Sequence, residues 1–141
     1  MSKKIIIKTR LLLFDKSQVL LLKQTAENGG KYTFVGGKIE NEEFAKTSLI
    51  REAEEEAGLE IDPKDLRLIH VLHKKDKNGM RIILYFKAEN RDNEPINREP
   101  HKFKSLTWHK LDSLPKSLSG TARHVLKMVR IGSLYSEFEK S

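Results

Sequence analysis

The run Gly37-Lys38-Ile39-Glu40-Asn41-Glu42-Glu43-Phe44-Ala45-Lys46-Thr47-Ser48-Leu49-Ile50-Arg51-Glu52-Ala53-Glu54-Glu55-Glu56-Ala57-Gly58-Leu59 decides how this chain folds. It predicts a helix from Asn41 to Ala57, with Gly58 as its C-terminal cap and Asp62-Pro63 stopping any continuation. At about 100° per residue, Glu52, Glu55 and Glu56 share one arc of that helix, while Leu49, Ile50, Ala53 and Ala57 supply the core-facing stripe. The three carboxylates are therefore expected to project together, away from the buried side.

That arrangement is unfavourable for a plain helix. Like charges three or four residues apart repel by about 0.2–0.5 kcal/mol per pair. Glutamates in the last turn also face the negative end of the helix dipole, and only Arg51 is placed to offset the charge locally. A bound divalent cation would remove every one of these penalties, and hard oxygen ligands select magnesium, manganese or calcium over zinc. The plainer alternative is a solvated acidic face, the commonest origin of a charge run. Gly36-Gly37 lies just before the helix, where glycines let backbone N–H groups approach phosphate oxygens. Most glycine pairs, however, are simply turns.

Outward from this segment, apolar runs alternate with turn residues. Ile5 to Phe14 and Val19 to Leu22 read as strands around an Asp15-Lys16-Ser17 turn, and Tyr32 to Val35 as a short strand after a polar loop. Leu66 to His73 and Arg81 to Ala88 read as a hairpin turning at Asp76-Lys77-Asn78-Gly79. Ile82-Ile83-Leu84-Tyr85-Phe86 is apolar without alternation, as in a strand covered on both faces. Asn90 to His101 reads as a surface loop and Phe103 to Trp108 as a strand. Ala122, Val125, Leu126 and Val129 mark a second amphipathic helix, and the tail at 131–141 has no readable order. Strands and two helices in this order imply an α/β layer fold with helices on both faces of a sheet.

The chain has 141 residues, enough for one domain spanning 1–141. Lys and Arg total 27 against 20 Asp and Glu, a formal charge of +7 that favours anionic partners. No dense basic run interleaved with aromatics points to a polynucleotide groove, so a small phosphorylated ligand is the preferred partner. No apolar run is long enough to cross a membrane. Lys8 and Arg10 interrupt the apolar N-terminal stretch, which reads as a strand rather than a signal peptide. The chain has no cysteine, which excludes disulfides and a thiolate nucleophile and fits a cytoplasmic setting.

Gly37, Glu43, Arg51-Glu52-Ala53, Glu55-Glu56 and Gly58-Leu59 together resemble the Nudix box, the signature of the Nudix hydrolase superfamily, with Ala53 and Leu59 at its aliphatic positions. The box spans 37–59, and every constrained position is met. The flanking strands and the Glu99-Pro100-His101-Lys102, Trp108 and Leu114-Pro115 stretch resemble its MutT-like branch. Two positions depart: Val35 stands where proline is common, and Glu42 where glycine is common.

The resemblance implies an α/β/α sandwich with a mixed sheet between helices, and hydrolysis of a pyrophosphate linkage in a nucleoside diphosphate joined to a group X. It implies Mg2+ as cofactor, with Mn2+ as a possible substitute. Glu55 and Glu56 would be principal metal ligands, Glu52 a ligand or general base, and the Gly36 carbonyl and Glu99 further contacts. Glu52, Glu55 and Arg51 would form the catalytic group, with Arg51 oriented through Glu43 and the helix closed by Gly58. Gly37 and Lys38, with Tyr32 and Phe34 as candidate base-facing aromatics, would meet substrate, although core packing is the commoner role of such rings. The markers of ADP-ribose, dinucleoside polyphosphate and NADH hydrolases are absent, which leaves a nucleoside triphosphate or a modified form, giving monophosphate and pyrophosphate. The alternatives are an RNA 5′-end pyrophosphohydrolase and a non-catalytic nucleotide-binding regulator.

Overall fold

The computed structural model describes residues 5–40, 42–89 and 93–140; the expected helix start Asn41, the loop residue Asn90 and the tail residue Ser141 lie outside them. β1 (Ile6–Leu12) runs parallel to β7 (Gly79–Ala88) and antiparallel to β5 (Val35–Lys38). β7 pairs antiparallel with β6 (Leu66–Asp76), which pairs parallel with β9 (Tyr135–Glu139). The result is a mixed sheet ordered β5-β1-β7-β6-β9. A second sheet joins β2 (Phe14–Asp15), β3 (Gln18–Gln24) and β4 (Tyr32–Thr33), with β8 (Phe103–Lys110) also on β3.

Helices cover both faces of the main sheet. α1 (Ala45–Ala57) packs through Leu49 and Ala53 into one core with Leu11, Leu22 and Phe86. α2 (Gly120–Arg130) packs through Ala122 and Val125 into a second core with Leu12, Leu21 and Tyr85. Consecutive residues such as Leu11 and Leu12, or Tyr85 and Phe86, enter opposite cores, so these strands read as unbroken apolar runs. Each fully buried leucine contributes about 1.5–3 kcal/mol by leaving water.

The hairpin turns where expected, with Asn78 N–H donating to Asp76 Oδ1 at 2.8 Å. The first helix starts later than the sequence suggested. Glu42 has φ 64°, a left-handed conformation that cannot continue a right-handed helix, and Phe44 is the extended N-cap without a side-chain capping bond. Gly58, at φ 62°, closes the helix and donates to the Ala53 and Glu54 carbonyls. Val35 is a strand residue opposite Leu11 in the first core.

The tail has a structure its sequence did not reveal. Ser136 and Phe138 turn toward the second core, the Phe138 ring lying 4.8 Å from that of His124. Buried His70 lies 2.7 Å by Nδ1 from the Ser133 carbonyl oxygen and 2.8 Å by Nε2 from Ser136 Oγ. His124 Nε2 lies 2.9 Å from the same hydroxyl. His70 is thus a structural group joining β6 to the tail.

Candidate active site

The glutamates in the C-terminal half of α1 meet the glycine pair of β5. Glu56 lies seven residues beyond Leu49, so two helical turns return it almost to the direction of a core leucine. It is only 2% exposed, and its Oε1 accepts the Gly36 N–H at 2.9 Å. The expectation that all three carboxylates point away from the buried side is therefore corrected: it holds for Glu55, whose side chain is 53% exposed, and fails for Glu56. Glu52, 12% exposed, stands against Gly37, where an added Cβ would lie 2.9 Å from its Oε1. At Gly36, with φ 141°, a Cβ would overlap the Thr9 carbonyl oxygen across the β1–β5 ladder. Only glycine suits that position.

Arg51 organises the carboxylates. Its Nε and Nη2 donate to Glu43 Oε2 and Oε1, both at 2.9 Å, a bidentate pairing. Its Nη1 reaches Glu52 Oε1 at 3.0 Å and Glu55 Oε2 at 3.3 Å. The Arg51 hydrogen bond, with help from the Glu40 N–H, holds the Glu43 carboxyl below its ordinary range. Bonding to Glu43 in turn raises the Arg51 guanidinium further above its already high value.

Glu56 is the electrostatic anomaly. Burial pushes its carboxyl up to about 8; the Gly36 N–H opposes this, and the Glu52 charge and a hydrogen bond with Glu52 add to it. Without a cation Glu56 therefore keeps its proton at neutral pH. Among the described residues no three histidine, aspartate or glutamate side chains are gathered closely enough to hold a metal ion. The donors nonetheless suit a hard divalent cation: carboxylate oxygens, one of them buried and held protonated, beside a glycine cradle that a Cβ would fill.

The other expected residues are dispersed around this centre. The Gly36 carbonyl accepts from Arg10 Nη1 at 3.0 Å, and the Phe34 carbonyl accepts from the same atom at 3.1 Å. Arg10 was missed as a site residue; its only signal was a cation in alternation with apolar residues on the first strand. Lys38 is exposed at the end of β5. Phe34 is 1% exposed in the second core, and Tyr32 packs against that core with its ring 4.9 Å from that of His109. Glu99 lies in a loop docked on the end of α1, where Ile96 N–H donates to Ala57 O at 2.9 Å and Arg98 N–H to Glu56 O at 3.1 Å.

A family model described as the NUDIX domain matches residues 7–129. No curated protein matches the sequence. Among solved structures, a MutT NUDIX hydrolase from Burkholderia pseudomallei is 25% identical with a TM-score of 0.80, over 89% of this chain and 98% of that one. A MutT protein from Bacillus halodurans is 22% identical with a TM-score of 0.78, over 96% and 90%. An ADP-ribose pyrophosphatase from Streptococcus suis is 17% identical with a TM-score of 0.61, over 96% and 98%. The last two likenesses are of fold.

Proposed function

This chain belongs to the Nudix family as a MutT-like hydrolase, and from that premise we propose that it cleaves the pyrophosphate linkage of a nucleoside diphosphate joined to X, using magnesium. The observation that carries the proposal is the Glu52–Glu56 pair, buried against Gly36 and Gly37 with Glu56 raised to about 8. A buried carboxylate in this state gains most from a cation, because the cation replaces the proton and removes repulsion from Glu52.

Glu52, Glu55 and Glu56 are the proposed ligands, whereas the Gly36 carbonyl, expected beside them, is taken up by Arg10. The bound ion would neutralise phosphate oxygens and lower the pKa of an attacking water. Arg51 keeps the glutamates in place through its bidentate hold on Glu43. Glu52, touching both Arg51 and Glu56, is suited to accept the water proton. The Gly37 backbone and Lys38, on the same strand, are the proposed phosphate contacts. Attack in line on phosphorus needs no covalent nucleophile. Our preferred substrate is a nucleoside triphosphate or a modified form, releasing monophosphate and pyrophosphate.

The test is a nucleotide screen with magnesium, scored for released phosphate and pyrophosphate, with Glu55→Gln and Glu56→Gln alongside. Turnover is expected for the wild type only, and chelation with EDTA should abolish it. Wild-type rates in either variant, or activity in EDTA, would sink the assignment.

A further inference from the structure

A cleft of about 290 Å³ opens on the α2 face of the main sheet, beside the start of α2. Six cations line it: Lys8 and Arg10 from β1, Lys31, Lys74 from β6, Arg81 from β7, and Lys140. Its one acidic group, Asp76, is already engaged by Arg81 at 2.6 Å and by the Asn78 N–H. Among the described residues the Lys8 and Lys74 side chains make no hydrogen bond or close ion pair, and Asp76 acts on both only as a more distant charge. Lys74 also sits directly opposite Arg81 in the β6–β7 register, a like-charge pairing that destabilises a sheet. Burial, reinforced by Arg10, Arg81 and Lys74 and opposed only weakly by Asp76, drives the Lys8 ammonium down to about 8. Burial likewise lowers Lys74, with Lys140, Arg81 and Arg10 adding to the shift and Asp76 opposing it.

A fold gains nothing from holding the half-buried Lys8 and Lys74 side chains among four further cations, whereas an anion in the cleft would relieve that repulsion. The cleft offers a neutral nucleobase little. The rings that line it, Phe34 and Tyr85, are at most 2% exposed and pack edge to face at 6.1 Å within the second core. It is also adjacent to the proposed catalytic centre, since Gly36 bonds Glu56 through its N–H and Arg10 through its carbonyl.

We propose that this cleft takes a second phosphate of the substrate, a monoester or diester carried in addition to the pyrophosphate that is cleaved. The inference rests on the hydrolytic reading above and narrows X or the nucleoside to a phosphorylated one. A 3′-phosphorylated nucleotide and the 5′ end of an oligonucleotide share this chemistry.

Inorganic phosphate titrated into the full chain in EDTA tests the cleft apart from catalysis. The wild type is expected to bind, and Lys8→Gln and Lys74→Gln to bind roughly tenfold more weakly. Their melting temperatures should hold or rise, since each change removes a desolvated, repelled cation. ATP, its 3′-phosphorylated form and the dinucleotide pppApA are then compared with magnesium. A gain in kcat/KM of about tenfold for a form with the second phosphate supports the proposal, and which form gains separates monoester from diester. Equal kcat/KM for all three, or unchanged phosphate binding in both variants, overturns it. If none of the three is cleaved, the hydrolytic reading has failed instead. The cleft is then decided by whether 3′-phosphorylated ATP binds more tightly than ATP in EDTA.

Discussion

The Gly36 N–H donates to the Glu56 carboxylate at 2.9 Å, which ties strand β5 to the last turn of helix α1 and fixes the only fully buried glutamate of the helix against a glycine. The neighbouring glycine makes a different kind of contact, and substitution should separate the two. Gly36→Ala forces a Cβ into the Thr9 carbonyl at φ 141° and should destabilise the protein by about 3 kcal/mol. Gly37→Ala meets only the movable end of Glu52. It should stay within about 1 kcal/mol of wild type while losing roughly tenfold in magnesium affinity. Urea denaturation and metal titration of both variants check this; equal stability losses would refute it.

Glu56 makes the metal-free protein sensitive to alkali. Its carboxyl titrates near 4.5 in the unfolded chain and at about 8 when folded. The native state therefore holds a proton that the unfolded state has released, and stability falls as pH rises across that interval. The stabilisation is full below pH 4.5 and lost above about 8. In EDTA the urea midpoint of wild type should drop from pH 5 to pH 9, whereas that of Glu56→Gln should drop much less. Magnesium binding at neutral pH should release a proton, visible by calorimetry in buffers of different ionisation enthalpy.

Arg51→Lys keeps the charge but cannot reproduce the bidentate hold on Glu43 together with the contacts to Glu52 and Glu55. Activity and metal affinity should fall by about 10–100-fold, the usual effect of losing a group that orients metal ligands. Wild-type kcat with wild-type metal affinity would show that Arg51 plays no positioning role.

Glu42 is exposed and adopts φ 64°, a conformation costing roughly 1–2 kcal/mol for a residue with a side chain. Glycine is free of that strain but gives up more unfolded-state entropy. Glu42→Gly should therefore stabilise the protein by up to about 1 kcal/mol with little change in activity. A lower urea midpoint would contradict this reading of the turn.

The motif residues at 37–59, the β6–β7 hairpin and the two-faced burial of β7 were all legible, because each depends on local chemistry or on a short period. The burial of Glu56 was not read, although its spacing from Leu49 carried the signal; charge was allowed to outweigh geometry. The basic cleft could not be read at all. Its six cations come from positions as far apart as Lys8 and Lys140, and only the parallel pairing of β1 with β7 brings the first of them beside Arg81. Strand β9 escaped notice because its hold is tertiary, made by the parallel ladder on β6 and by His70 and His124 on one serine rather than by an apolar pattern of its own.

That last strand completes the sheet border along β6. With residues 133–141 removed, β6 would present a row of unsatisfied N–H and C=O groups from Val71 to Lys75, and His70 would lose both of its partners. Such a bare, regular border is a template for further strands. The shortened chain should self-associate in a concentration-dependent way, seen by light scattering, because the border would pass from β9, five residues long with exposed Glu137 and Glu139, to the longer β6.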